Sequence, residues 1–124
     1  MPRRILIADD NQLIRKLVRE AFEQQNWLVC AEAENGKQAV EKAKELKPDL
    51  ILLDLSMPVM NGLDAARALK QLMPAVPMVM FTSFQTDQLR AQMLAAGVST
   101  VIVKSNSLAN LIDAIRTVMI DHAA

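Results

Sequence analysis

The stretch DLILLDLSMPVMNG, residues 49–62, sets four apolar residues directly before a carboxylate. Residues 50–53 are apolar at every position, which is expected of a parallel strand whose two faces are both covered by helices. Asp54 ends this run, and the turn-forming pairs Met57-Pro58 and Asn61-Gly62 follow it. The pattern predicts a buried strand that opens at Asp54 into a loop at the edge of a sheet.

Outward from this strand, apolar runs of strand length alternate with segments that carry apolar residues at helical spacing. Five helices are predicted, of which the first covers residues 12–25, Gly97 caps the end of the fourth, and Ser107 caps the start of the fifth. This alternation predicts an α/β domain with a parallel sheet covered on both faces, and at this length we expect the flavodoxin-like strand order 2-1-3-4-5. The predicted strands are 4–8, 28–33, 50–53, 78–81 and 101–103.

Size and composition restrict the classes of protein to which the chain can belong. Its 124 residues fit one domain, so residues 1–124 are interpreted as a single domain with no output domain in this chain. No apolar run approaches the length that spans a bilayer, so we expect no membrane contact. The 14 basic and 14 acidic residues cancel, which argues against direct nucleic-acid binding. A single cysteine, Cys30, favours a reducing compartment, and we expect a cytoplasmic location.

Polar side chains stand at the carboxyl ends of the central predicted strands, where open α/β sheets bind ligands. Two carboxylates about 5 Å apart repel by roughly 3 kcal/mol at an effective dielectric of about 20, so three acids at one edge predict a bound divalent cation. Oxygen ligands without a nearby histidine or cysteine favour Mg²⁺, or Mn²⁺, as that cation. The polar residues are Asp9 and Asp10 after the first strand, Asp54 after the third, Thr82 and Ser83 after the fourth, and Lys104 after the fifth.

A metal ion held this way indicates phosphate chemistry, because such an ion commonly also binds phosphate oxygens. Thr82 can donate a hydrogen bond to a phosphoryl oxygen, and Lys104 can supply a positive charge to it. A carboxylate flanked by a metal ion and a lysine can attack a phosphoryl group as a nucleophile, and Asp54 is the candidate for that role.

These residues carry a resemblance along the whole chain to the receiver domain of two-component response regulators. The resemblance implies phosphotransfer to Asp54 from a sensor histidine kinase or a phosphotransfer protein. It also implies that Asp10 and Asp54 bind Mg²⁺, with Asp9 in support and the backbone carbonyl of Ser56 as a further ligand. The motifs that carry the resemblance are Asp9-Asp10, Asp54 followed by Met57-Pro58 and Asn61-Gly62, Thr82-Ser83, and Lys104.

Further expectations follow from the same resemblance. Phosphorylation switches the binding of a downstream protein or a detached output domain, and it allows a homodimer on activation. Ser56 and Phe84 flank the path of the water that removes the phosphoryl group. Many receivers carry Tyr or Phe three residues before the lysine, but Val101 stands there, so the inward swing of an aromatic ring is not expected. The phosphoryl-binding residues implied by the resemblance are Thr82, Ser83 and Lys104.

Three other classes of function compete with this interpretation. An aspartate-nucleophile phosphohydrolase usually has a second aspartate two residues after the nucleophile, and Ser56 in that position argues against turnover. A flavin- or nucleotide-binding module needs a Ser/Thr- or Gly-rich loop after the first strand, whereas the sequence ADDNQL offers two anions. A phosphorylation-independent scaffold would not need the set of acids, threonine and lysine. We therefore expect a signalling domain rather than an enzyme, with at most self-phosphotransfer and slow autodephosphorylation.

Overall fold

The strands form one parallel sheet in a computed structural model that describes residues 2–83 and 85–121. The strand order is β2-β1-β3-β4-β5, which confirms the predicted flavodoxin-like topology. The elements are β1 (Arg4–Ala8), α1 (Gln12–Gln24), β2 (Leu28–Ala33), α2 (Gly36–Leu46), β3 (Leu50–Leu53), α3 (Gly62–Leu72), β4 (Met78–Thr82), α4 (Asp87–Ala95), β5 (Thr100–Val103) and α5 (Leu108–Asp121).

Each face of the sheet has its own apolar cluster. On one face, Leu69 of α3 and Met93 of α4 pack on the sheet together with small residues of α2. On the other face, Phe22 of α1 and Ile115 of α5 pack on it. Successive residues of Leu50–Leu53 belong to the two clusters in turn, and all four are buried. The uninterrupted apolar run of β3 therefore arises because helices cover both of its faces.

Side-chain caps start each helix of the described residues at the carboxyl edge of the sheet, where the loops leave the strands. In each case a side-chain oxygen accepts a hydrogen bond from the backbone N–H three residues later, which satisfies a donor that the helix itself cannot pair. These bonds fix the helix starts and so the loops that carry the polar residues. The capping residues are Asn11, Asn35, Asn61, Thr86 and Ser107.

Several boundaries and faces differ from the sequence prediction. Strand β4 runs one residue further than predicted, so Thr82 lies inside the sheet rather than after it. Leu13 and Leu17, expected on the apolar face of α1, are 62% and 42% exposed. The reason is that the buried face of α1 is formed by Val18 and Phe22. Around the helix axis, Leu17 lies about 100° and Leu13 about 140° from Val18, so both leucines fall outside this face.

The amino edge of the sheet, opposite the acids, contains Trp27. Its ring meets that of Phe22 edge-on, with the centroids 5.5 Å apart. Gly97, just after α4, has a φ of +104°, as predicted for a left-handed residue at a helix end. Within the described part of the chain, no helix combines the length and apolarity needed to cross a membrane.

Candidate functional site

Three carboxylates meet at the carboxyl edge of the sheet. Asp9, Asp10 and Asp54 each place an oxygen within 4.8 Å of the other two. Asp9 follows β1 and Asp54 follows β3, and these strands are hydrogen-bonded neighbours whose last residues, Ala8 and Leu53, pair directly. Asp9 and Asp54 are 3% and 5% exposed, whereas Asp10 is exposed. The parallel pairing of β1 and β3 is therefore what brings the acids together.

Lys104 joins the two buried acids. Its Nζ lies 2.7 Å from Asp9 Oδ2 and 3.2 Å from Asp54 Oδ2, and it passes over the ring of Phe81 at 5.9 Å from the centroid. Burial alone lowers the pKa of Lys104, but the hydrogen bond to Asp9 and the charges of Asp54 and Asp9 outweigh it and raise the pKa above its ordinary value. The lysine therefore remains charged at neutral pH.

One lysine does not neutralise the site. Burial, and next the charge of Asp9, raise the pKa of Asp54 above its ordinary value, and the charge and hydrogen bond of Lys104 and a backbone hydrogen bond from Ser56 offset this only in part. These features fit a hard divalent cation such as Mg²⁺. The repulsion between the acids remains in part, all donor atoms are oxygens, and Asp10 is exposed, so water molecules can complete the coordination of an ion bound there.

Glycine at position 62 lets the loop after β3 close tightly on Asp54. A Cβ at Gly62 would lie 2.1 Å from the carbonyl oxygen of Asp54, so no other residue fits without moving the backbone. The Gly62 N–H donates to the carbonyl of Leu55 at 2.8 Å. The start of α3 thus packs directly against the chain that leaves β3 and fixes the course of Asp54 and Leu55.

The tip of the same loop adopts a rare backbone conformation. Val59 has a φ of +68° and the Met60 N–H donates to the Pro58 carbonyl at 2.7 Å, which describes a strained γ-turn. The Gly36 N–H, at the start of α2, donates to the Met60 carbonyl at 2.8 Å. A backbone contact from the neighbouring helix therefore holds the strained turn in place.

A second group of predicted site residues lines a cavity of about 510 Å³ between the loops that follow β3 and β4. Ser56, Thr82 and Ser83 line it, with Thr82 buried and the two serines exposed. The Lys104 N–H donates to the Thr82 carbonyl at 2.7 Å, which ties the ends of β4 and β5 together. Phe84 lies outside the described residues.

Val101, in the middle of β5, is 5% exposed and pairs with Met80 of β4. It belongs to the apolar cluster of α2, α3 and α4. The position is therefore a core position in this structure, filled by a side chain with no polar tip.

Two contacts of Asp9 were missed by the sequence analysis. The Asn11 N–H donates to Asp9 Oδ1 at 2.9 Å, and Arg15 Nη1 donates to the Asp9 carbonyl oxygen at 2.7 Å. Asparagine directly after an acid pair, at the start of a helix, was a usable signal for Asn11. No pattern distinguished Arg15 from the other cations of α1, because its contact depends on how the helix packs.

The fold and the acid cluster agree with the match to known families. A sequence model of the response regulator receiver domain matches residues 5–116, and the chain belongs to this family of signalling domains. Receiver domains generally serve phosphorylation-based signalling in two-component systems rather than act as enzymes.

Individual relatives agree with this assignment. The chain is 32% identical to the chemotaxis protein CheY of Thermotoga maritima over 95% of this chain and 98% of that protein. It is 36% identical to the transcriptional regulatory protein LnrK of Bacillus subtilis over 93% of this chain, but spans only 53% of that relative. A similar solved structure, 26% identical with a TM-score of 0.92, is the CheX–CheY–BeF3–Mg²⁺ complex of Borrelia burgdorferi, aligned over 95% of this chain and 90% of that one.

Proposed function

We propose that the chain accepts a phosphoryl group on Asp54 from a sensor histidine kinase or a phosphotransfer protein, in a reaction that needs Mg²⁺ or Mn²⁺. The observation that carries the proposal is Lys104 Nζ within 3.2 Å of a buried Asp54 that also adjoins two further acids. In the transfer, an Asp54 oxygen forms a bond to phosphorus while the bond from phosphorus to the donor nitrogen breaks. The donor histidine keeps the electron pair of the broken bond.

Each residue of the site has a proposed role in this reaction. Mg²⁺, bound by Asp10, Asp54 and the Ser56 carbonyl with Asp9 in support, would offset the negative charge of the phosphoryl oxygens. Lys104 holds the two buried acids together before the reaction, and its charge then pairs with a phosphoryl oxygen.

The switch from unmodified to modified protein is proposed to involve the loop after β4. Thr82 and Ser83 line the same cavity as Ser56, and their hydroxyl groups can donate to a phosphoryl oxygen. A downstream protein or a detached output domain would read the change, and a homodimer could form in the activated state. Val101 has no aromatic ring, so this position cannot signal by moving a ring between buried and exposed positions.

The lifetime of the phosphorylated state is proposed to depend on Ser56 and Phe84. Ser56 is exposed and can hold a water molecule, but a hydroxyl is too weak a base to activate it. An apolar side chain at position 84 would exclude water if it folds over the site, whereas one that points outward would serve as an anchor for a partner. We propose that residues 1–124 form one receiver unit. This chain spans 53% of the relative LnrK but 98% of the relative CheY, so relatives of both lengths carry such a unit.

Support for phosphoryl chemistry comes from the solved relative whose complex contains BeF3 and Mg²⁺. Beryllium trifluoride has the tetrahedral geometry of a phosphoryl group when bound to a carboxylate. The donor atoms of Asp9, Asp10 and Asp54 in this chain suit the same cation.

The experiment that tests the proposal measures the intact mass of the protein after incubation with acetyl phosphate and Mg²⁺. We expect one labile phosphate on the natural protein and none on Asp54→Asn, which keeps the size of the side chain but removes the nucleophilic charge. Asp64→Asn is the control, because Asp64 is an exposed acid on α3 that pairs only with Arg67 among the described residues. Equal phosphorylation of Asp54→Asn would reject the acceptor, and rapid release of free phosphate would favour the phosphohydrolase.

A further inference from the structure

Arg15 of α1 reaches from its helix to the loop that carries two of the acids. Its side chain is 13% exposed, its Nη1 donates to the Asp9 carbonyl at 2.7 Å, and its Nε donates to Glu32 Oε1 at 3.0 Å. Glu32 belongs to the edge strand β2. The guanidinium therefore connects a helix, a strand and the chain that leaves β1.

The bond from Arg15 to the Asp9 carbonyl also restricts Asp10, because the Asp9 carbonyl and the Asp10 nitrogen belong to the same planar peptide group. The Asn11 N–H bonded to Asp9 Oδ1 closes this turn from one side, and Arg15 holds the intervening peptide from the other. Within residues 2–83 and 85–121, the Asp10 carboxylate has no hydrogen-bond or ion-pair partner of its own. The direction of the Asp10 side chain therefore depends on the conformation of its backbone.

We propose that Arg15 is a positioning residue, which orients the Asp9–Asp10 peptide so that the Asp10 carboxylate faces the place of the metal ion. The inference rests on the proposed function, since it concerns the Mg²⁺ that Asp10 would bind there. Arginine suits this task better than lysine, because its planar group donates to two acceptors in fixed directions.

The charge of Arg15 and its orienting contact have opposite effects on the affinity for Mg²⁺. A cation beside the acid cluster repels Mg²⁺, so removal of the charge alone would strengthen metal binding. Loss of the fixed peptide would weaken it, since ligands that must be ordered on binding bind less tightly. The sign of the change in affinity therefore separates the two effects.

Arg19 provides a matched control. It lies one turn further along α1 and pairs with the other oxygen of Glu32, but it makes no contact with Asp9 in the described structure. Arg19→Met removes a cation and a partner of Glu32 from the same helix, as Arg15→Met does, while the bond to the Asp9 carbonyl remains.

The test measures the Mg²⁺ dissociation constant of Arg15→Met, Arg15→Lys and Arg19→Met by calorimetry, beside the natural protein. We expect both Arg15 variants to bind Mg²⁺ roughly tenfold more weakly, which is the usual size for loss of a group that orients a metal ligand. Arg19→Met should bind it as the natural protein does. A second measurement, amide hydrogen exchange of Asn11 without metal, should be faster in the Arg15 variants alone, because its N–H is bonded to Asp9 Oδ1 in the same turn.

Three outcomes overturn the proposal. Tighter binding by Arg15→Met with unchanged binding by Arg15→Lys would leave charge as the only role of Arg15. Equal weakening in the Arg15 and Arg19 variants would indicate a general loss of stability. If the natural protein binds no Mg²⁺, the proposed function fails. Exchange in the metal-free protein then decides alone, and unchanged exchange at Asn11 in the Arg15 variants rejects the orienting contact.

Discussion

At the carboxyl edge of the sheet, three carboxylates meet beside one lysine, which bonds to two of them, whereas at the amino edge Arg4 and Arg116 bond to neutral groups or to single opposite charges. Arg4, for example, donates through its backbone N–H to Asp49 Oδ2 at 2.8 Å and through its guanidinium to the Lys47 carbonyl at 3.0 Å. Arg116 donates to Gln25 Oε1 at 2.6 Å and lies 6.0 Å from the ring centroid of Trp27.

The two edges share one backbone framework but differ in what their polar residues do. At the amino edge, the donors of Arg4 and Arg116 meet acceptors within the protein and so help to close the fold. The carboxyl edge keeps surplus negative charge that the protein alone does not balance, as the raised pKa of Asp54 indicates, with burial as its main cause and the charge of Asp9 next. This surplus charge lowers the stability of the carboxyl edge in metal-free protein, as expected of a site that is proposed to bind a cation.

The largest difference between the edges should follow removal of one cation from each. Lys104→Met leaves two buried carboxylates without their partner and should lower the free energy of unfolding by about 3 kcal/mol in metal-free protein. Arg116→Met removes an exposed cation at the amino edge and should cost about 1 kcal/mol or less. Urea unfolding in the presence of a chelator measures both, and similar losses in the two variants would contradict the comparison.

Addition of Mg²⁺ should stabilise the protein through the carboxyl edge alone. At a concentration of about 100 times the dissociation constant, binding adds about 2.7 kcal/mol to the free energy of unfolding. Thermal unfolding should show this as a higher Tm in the natural protein and in the amino-edge control Asp49→Asn. Asp10→Ala should be more stable than the natural protein without metal, since it relieves repulsion, but should gain little from Mg²⁺. A Tm that Mg²⁺ leaves unchanged in the natural protein would count against the site.

Neutralising one acid at each edge should give different results. Since the folded pKa of Asp54 is raised, its contribution to stability is greatest below the unfolded pKa and is lost as the pH rises through the folded pKa. Ionised Asp54 thus lowers stability at neutral pH, and Asp54→Asn should raise the Tm of metal-free protein by a few degrees.

The advantage of Asp54→Asn should shrink as the pH falls and Asp54 of the natural protein takes up its proton. Asp49→Asn should change the Tm little, because its amide oxygen can still accept from the Arg4 N–H. Thermal unfolding as a function of pH compares the two variants. A lower Tm for Asp54→Asn at neutral pH would show that its bond to Lys104 outweighs the repulsion.

The smallest effect should be the response of the amino edge to ligands of the carboxyl edge. Trp27 lies opposite the acids and packs on Phe22, so its fluorescence should change little when Mg²⁺ and BeF3 are added. Hydrogen exchange should change in the segment that follows Thr82 and remain nearly constant around Val101. Strong changes at Val101 with a quiet segment after Thr82 would show that strand β5 transmits the signal without an aromatic ring.

Much of the fold and of the site could be predicted from local patterns. The apolar run before Asp54 and the helical periodicity on either side of it determine the order of strands and helices, because a covered sheet and an amphipathic helix each require one spacing of apolar residues. Once the sheet is parallel, residues that end its central strands must lie at one edge. For this reason Asp9, Asp54 and Lys104 could be chosen from their sequence positions alone.

Other features were decided only by tertiary packing. The phosphoryl-binding role of Lys104 stays a prediction, but the sequence analysis did not predict its bonds to Asp9 and Asp54. The bond from Arg15 to the Asp9 carbonyl depends on how α1 lies across the sheet.

The physical reason is the same in each case. Periodicity and capping act between residues close in sequence, so the chain itself specifies them. A long, flexible side chain such as that of Lys104 or Arg15 can bond to any acceptor within its reach. Only the packing of the sheet and helices decides which acceptors lie within reach, so the residue type alone does not identify the partner.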